Sequence, residues 1–576
     1  MLNYVTMNKL TLLLLVVLFL SYLSYVFKAK KRVPAQGVKN RTAPEAYVTE
    51  SGAFPPSIVG AQTAVPAFIG YTEKAEIDGQ PCFNKPIRVG SMADFETYFG
   101  GRYNLVYDIH EQTNPQDGNY DFKVKYAAST SLAVSPPEMG SYLYYYLEQT
   151  DASKFYLYDS MRLFYANGGG NCYVVSVGDY ARGASIQKDD LIGGLNVIRD
   201  QVGPTMLVVP DALLLDGQSN GGGAPDYPAT FKPSAAFQTV VREMLKQCGD
   251  LEDRVAILDV YGTLAVNNAT LDAVITQFRT DVGNENLKYG MAYFPFLHTS
   301  AVEASDFTYR NLQPLSLLQN ILSWENHNLY HADNQPKYTA VQNSIDSMAS
   351  PSQTTDGVQT LTRELANAIP LLKDILGVVV EKNCVLPPSG ALAGVYTYTD
   401  ATRGVWNAPA DIDLNSVEQT TFKMSDTQQG DLNMPVDGKA VNALREFVGR
   451  GTVVWGARTL DGNSNDYRYI QVCRTLIYIE QSIKAALATF VFAPNDGNTW
   501  VTVTSMVSNF LENLWAQGGL MGAKASDAFT VQCGLGSTMT GMDVVNGYMI
   551  VQVTLQMIHP AEFIELTFKQ KMEGAG

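Results

Sequence analysis

Between Cys172 and Phe296 short apolar runs alternate with segments of helical period, and this order restricts the fold more than any other feature. "CYVVSV" (172–177) precedes the helix-like "DDLIGGLNVIRDQ" (189–201), and "TMLVVPD" (205–211) follows. After a Gly-rich loop come "AAFQTVVREMLKQC" (235–248), "RVAILDV" (254–260), a helix near 270–280 and "YGMAYFPF" (289–296). Strands separated by single helices build βαβ units, so a mostly parallel sheet covered by helices is expected. Residues 102–150 are Tyr-rich and read as an irregular insertion.

Beyond about residue 390 the pattern changes to an α+β one. "VNALREFV" (441–448) reads as an amphipathic helix with Val441, Leu444 and Val448 on one face. "RTLIYIEQSIKAALATFVF" (474–492) and "VSNFLENLWAQGGL" (507–520) read as further helices. In "YMIVQVTLQMI" (548–558) Met549, Val551, Val553, Leu555 and Met557 share one face of a strand. In "FIELTFKQKM" (563–572) Ile564, Leu566, Phe568 and Met572 face one way, Glu565, Thr567, Lys569 and Lys571 the other. At 576 residues, more than one domain is expected.

The net charge of −16 is unevenly spread: seven cations and no acid in residues 1–41 leave −23 on the remainder. An acidic body argues against nucleic acid, whose recognition needs basic surface. The six cysteines are far apart, with no CxxC pair, which excludes a disulfide framework. Leu10–Phe27 is 18 residues without a charge, followed by "KAKKR". That length just spans a bilayer, and the basic flank would keep the body in the cytoplasm. Three readings stay open: a real anchor at the inner membrane, a cleaved signal, or a start placed too far upstream.

No enzyme emerges from the candidate chemistry. "GQSNG" (217–221) has the G-x-S-x-G spacing around Ser219, but "GGAPDYPAT" follows where a nucleophile elbow requires a helix. His327 and His331 in "HNLYH" stand at i, i+4, without the glutamate of HExxH. Asp211 and Asp259 end two expected strands, where α/β enzymes place catalytic groups and where aspartates also cap helices. "NGGGN" (167–171) and "GLGSTMTG" (534–541) lack the GK[ST] of a P-loop and read as turns. No catalytic residue, cofactor or metal site is therefore expected.

One stretch still looks like a site. "GVYTYTDATRGVWNAPA" (394–410) reads as a loop holding two glycines, Asp400, Arg403 and Trp406. It belongs to a set. "FPPSIVGAQTAVPAFIGYTEKA" (54–75), "NKPIRVGSMADFETYFGG" (84–101) and "YANGGGNCYVVSVG" (165–178) precede it. "LREFVGRGTVVWGARTL" (444–460), "YRYIQVCRTLIYIEQSI" (467–483), "FVFAPNDGNTWVTV" (490–503), "NFLENLWAQGGLMG" (509–522) and "DVVNGYMIVQVTLQMIHPAEFIELTF" (543–568) follow. In this order, over roughly residues 44–572, the chain resembles the contractile tail sheath proteins of myophages and of extracellular contractile injection systems.

The resemblance implies a multidomain α/β and α+β subunit that stacks with copies of itself as a helical sleeve around an inner tube. Contraction of the sleeve would drive that tube through a target membrane, in a tail-like particle assembled in the cytoplasm. Implied partners are a baseplate, a tail terminator and an AAA+ ATPase, with a membrane only if residues 10–27 are an anchor. The implied layout has a hydrophobic start (1–27), a basic linker (28–43), an N-terminal arm (44–66) with Tyr47 and Val48, and outer domains (67–393). An inner α+β domain (394–561) and a C-terminal arm (562–576) with Ile564, Leu566 and Phe568 complete it. Both arms are expected to add strands to a neighbour's sheet. In the 394–410 stretch, Trp406 is expected to be packed, Arg403 to meet a carboxylate or carbonyls, and Gly404 to permit a turn. Cys473 stands where the family usually shows an arginine, which implies that a polar contact is lost there.

Overall fold

Among the described residues nine strands form one sheet whose centre is apolar on both faces. They are β1 (Pro66–Thr72), β2 (Ile87–Val89), β3 (Cys172–Asp179), β4 (Met206–Val208), β5 (Val255–Asp259), β6 (Gly290–Phe294), β7 (Ile412–Asp413), β8 (Asn442–Phe447) and β9 (Gly451–Trp455). Their order is β7-β9-β8-β6-β5-β4-β1-β3-β2. The six strands from β8 to β3 run parallel, and the edges are antiparallel. Every residue of β1, β4, β5 and β6 is buried, as a parallel sheet covered on both faces requires. Adjacent residues show the two layers. Phe68 meets the ring of Phe164 at 5.2 Å on one side, while Ile69 lies against the helix Lys188–Arg199 at Gly194 on the other.

The computed structural model describes residues 57–563 apart from 117, 128–137, 151–153, 181–185, 216–234 and 262–265. These lie in the second of the chain's two units, Pro55–Gly576. Leu10–Phe27, Tyr47, Val48, Ser219, Ile564, Leu566 and Phe568 fall outside the described residues. Among the described residues no helix is long and apolar enough to cross a membrane.

The expected βαβ series from Cys172 to Phe296 is present. Two expectations change. The Tyr-rich stretch carries regular strands: Tyr107–Glu111, Phe122–Lys125 and Tyr142–Gln149 form a four-stranded sheet with Leu312–Gln313 among the described residues. "VNALREFV" is not a helix but β8, which turns back into β9 through Gly449 (φ +82°) and Gly451 (φ +85°). Its three apolar positions fit a helical period, but two left-handed glycines within three residues favour a hairpin. Strands β7–β9 complete the same sheet as β1–β6, so the structure does not divide at residue 394.

Four helices frame the region around residues 394–410: α1 (Leu157–Ala166), α2 (Ser389–Arg403), α3 (Ile470–Leu487) and α4 (Gly497–Ala516). Helix α3 crosses two cores. Ile470, Cys473 and Ile477 belong to the large core around the sheet. Ile479 and Ile483 belong to a second core with Val503, Val507, Leu511 and Leu514 of α4.

Candidate functional site

Residues 394–403 are not a loop; they are the last ten of the 15 residues of α2. Valine, threonine, tyrosine and glycine are poor helix formers, which conceals the helix in the sequence. Burial supplies what propensity does not, since every residue from Ser389 to Tyr396 is buried. Three threonines turn their hydroxyls back onto the helix, donating to carbonyls four residues earlier: Thr397 to Ala393, Thr399 to Val395 and Thr402 to Tyr398. Gly394 lets α2 lie against α1. A Cβ there would stand 2.5 Å from the Phe164 carbonyl oxygen, closer than any real contact.

Helix α2 ends at Gly404, whose φ of +89° and contact with the Trp406 ring exclude a side chain. Trp406 packs against the second core. Arg403 is exposed, and among the described residues no carboxylate pairs with it. The cation of this region is Arg474 on α3. Its Nη1 donates to Asp400 Oδ1 at 2.8 Å and its Nη2 to Asp400 Oδ2 at 2.7 Å. Nη2 also donates to the Thr63 carbonyl at 3.0 Å, and the guanidinium lies 4.7 Å from the centre of the Tyr396 ring. Both charged side chains are at least 96% buried, so the pair joins α2, α3 and the segment before β1. Here Arg474 supplies a buried polar contact one position after Cys473. Arg474 carried a signal in sequence: it sits four residues after Ile470 and three before Ile477, on the apolar face of α3.

The other singled-out groups serve the fold. Asp211 accepts from the backbone N–H of Tyr71 (2.9 Å) and of Tyr156 (2.6 Å), holding the start of α1 against β1. Asp259 accepts from the Ser389 N–H at 2.8 Å, capping α2. Burial raises Asp211 to about 6 and Asp259 to about 7. A folded-state pKa above the unfolded one gives stability that is full below about pH 4 and lost as pH rises toward 7. Asp259→Asn keeps an acceptor for Ser389 but cannot ionise. Its stability should therefore fall less than the wild type's between pH 4 and 7, by on the order of 2–4 kcal/mol in chemical denaturation. Parallel pH curves for the two proteins would contradict this role.

His327 and His331 stack on each other, centroids 4.2 Å apart, with the Tyr338 ring edge-on to both. Among the described residues no group of three or more histidine, cysteine or acidic side chains is placed to hold a metal. Burial pushes the Cys172 and Cys473 thiols up to about 12, which makes them packing residues.

The C-terminal lobe carries a small sheet, β10 (Phe529–Gln532) against β11 (Gln552–Leu555), antiparallel in the register Phe529↔Leu555 to Gln532↔Gln552. Met549, Val551, Val553, Leu555 and Met557 all pack against the second core, as their alternation predicts. A two-stranded sheet is marginal alone and leaves backbone groups at its edges open to a further strand. Apolar exposure concentrates nearby. Of the 20 exposed large apolar side chains among the described residues, ten lie between Val491 and Phe563, including Phe492, Met542, Val545 and Tyr548.

Residues 463–571 match the phage tail sheath C-terminal domain family. Similar curated proteins are the tail sheath protein of Vibrio phage KVP40, 24% identical over 140 residues, and that of Burkholderia phage BcepMu, 27% identical over 144 residues. Each match covers 24% of this chain but only 21% and 30% of the respective relative. The fold as a whole is similar to the sheath complex of the PVC extracellular contractile injection system in its contracted state. That comparison gives a TM-score of 0.53 at 23% identity and covers 92% of this chain and 99% of that one. The resemblance read in the sequence is borne out.

Proposed function

We propose that this chain, whose residues 463–571 belong to the phage tail sheath C-terminal domain family, is the structural subunit of a contractile sleeve. Copies stack as a helical polymer around an inner tube, on a baseplate, and shorten to drive the tube through a target membrane. The observation that carries the reading is the β10–β11 sheet. It lies within the matched segment, has two strands among the described residues, and sits in the lobe with half of their exposed large apolar side chains. Such a surface favours partners over solvent. The partner for a sheet edge is another strand, and the alternating Ile564, Leu566 and Phe568 supply one from a neighbouring copy.

The remaining implied partners, a tail terminator and an AAA+ ATPase, belong to the same proposal. The protein acts by shape change, without a catalytic residue or cofactor, in a tail-like particle. The alternative of a membrane-anchored α/β hydrolase, which the strand-end position of Asp211 and Asp259 would suit, loses those carboxylates, since both are engaged with backbone N–H groups. Negative-stain electron microscopy of the expressed full chain tests the proposal. Striated tubes are expected, and a preparation of dispersed monomers at high concentration would contradict it.

A further inference from the structure

Two buried arginines hold segments near the two ends of the described residues, one through a backbone carbonyl and one through a carboxylate. Arg474 donates to the carbonyl of Thr63 while forked onto Asp400 and stacked over Tyr396. Thr63 is held a second time, by Thr205 Oγ1 at 2.7 Å, and Ala61 N–H donates to Ser482 Oγ on α3 at 2.9 Å. Arg458 holds the other end by forking onto a carboxylate of the segment itself. Its Nε donates to Glu562 Oε1 at 2.9 Å, and its Nη2 closes onto Oε2. Tyr469 Oη donates to Glu562 Oε2 at 3.2 Å, and the His559 ring lies 5.6 Å from the Tyr469 ring. The Arg458 guanidinium sits 5.8 Å from the Tyr469 ring centre and donates to the carbonyls of Asn433 and Gly462.

Both arginine side chains are 3% exposed. A planar fork met by carboxylate, carbonyl and ring fixes direction as well as distance. The two also share one frame. Arg458 bridges Tyr469, Thr459 N–H donates to the Arg468 carbonyl, and Ile470 N–H donates to the Ala457 carbonyl. These bonds tie 457–459 to 468–470 at the start of α3, four residues before Arg474.

We propose that Arg458 and Arg474 are pins that fix the exit directions of the C-terminal and N-terminal segments from this one frame. Resting on the sleeve reading above, the proposal adds a route for force. Tension arriving along one segment has a path to the other through residues 458–474, beside the covalent path through β1. Bending during contraction then falls outside the two pins, and the body moves as a unit.

The C-terminal pin is testable on the full-length chain. Spin labels at Phe563→Cys and at the exposed Lys484→Cys on α3, with Cys384 and Cys533 replaced by serine, report the spread of distances between exit and frame. Glu562→Gln, which breaks the charge-assisted fork, should broaden that distribution at least twofold in dilute subunits. It should also lower the mass of pelletable tubes at least threefold. The paired Arg458→Met and Glu562→Met variant leaves no charge unpaired, keeps the fold, and should broaden the distribution equally. Asp189→Asn, at a largely exposed carboxylate, should change neither. An unchanged distribution in both pin variants overturns the pin. A broadened distribution with undiminished tubes overturns its role in linking subunits. Absence of tubes from the wild-type chain counts against the sleeve reading, and the distance measurement still decides the pin.

Discussion

Arg474→Met should destabilise the protein by about 3–5 kcal/mol, because it strands the Asp400 carboxylate in a site from which water is excluded. The loss exceeds the net worth of the pair, since removing both charges is far cheaper than removing one. Combining Arg474→Met with Asp400→Leu should therefore recover most of the stability. The double variant still lacks the hydrogen bond to Thr63, so recovery stays incomplete. Chemical denaturation of the four proteins measures all of this. A single variant that unfolds like the wild type would show that the pair is not a structural joint. So would a double variant as weak as the sum of its parts.

That joint marks where the sequence was readable and where it was not. The βαβ series announced itself, because buried parallel strands are short runs of valine, isoleucine and leucine between helices of ordinary composition. The face of 549–557 was legible too, since alternation has one structural meaning when the apolar set is complete. Helix α2 was not legible. Its valine, threonines and glycine argue against a helix, and contacts with α1, α3 and the sheet stabilise it. Strand β8 was misread for the opposite reason: three apolar residues matched a helical period, and the glycines after it received too little weight. At the site, Gly404 and Trp406 could be picked out by residue type. Arg403 was taken for the cation, because no local pattern shows that Asp400 reaches a helix 74 residues away.

The C-terminal segment yields the largest expected functional effect. Leu566→Asp with Phe568→Asp should abolish tube formation while leaving the subunit folded. In the proposed pairing these positions face apolar residues of a neighbour's lobe, and each aspartate would carry an unpaired charge into that contact. Each cross-strand pair contributes only about 0.2–1 kcal/mol, so the joint between two copies is weak and a single charge is enough to open it. The fold is expected to be spared because, among the described residues, α3, α4 and the strand β11 build most of the second core. Far-UV circular dichroism should overlay the wild type, and sedimentation should show subunits in place of polymer. Tubes of normal length from this variant would remove the segment from the linkage.

The most direct measurement is a helical reconstruction of the polymer formed by the full-length chain. The account predicts at least one additional strand, from residues 564–576 of an adjacent copy, hydrogen-bonded to an edge of β10–β11, with Glu562 still on Arg458. A polymer in which β10–β11 stays two-stranded, or whose copies touch only through the nine-stranded body, would contradict it.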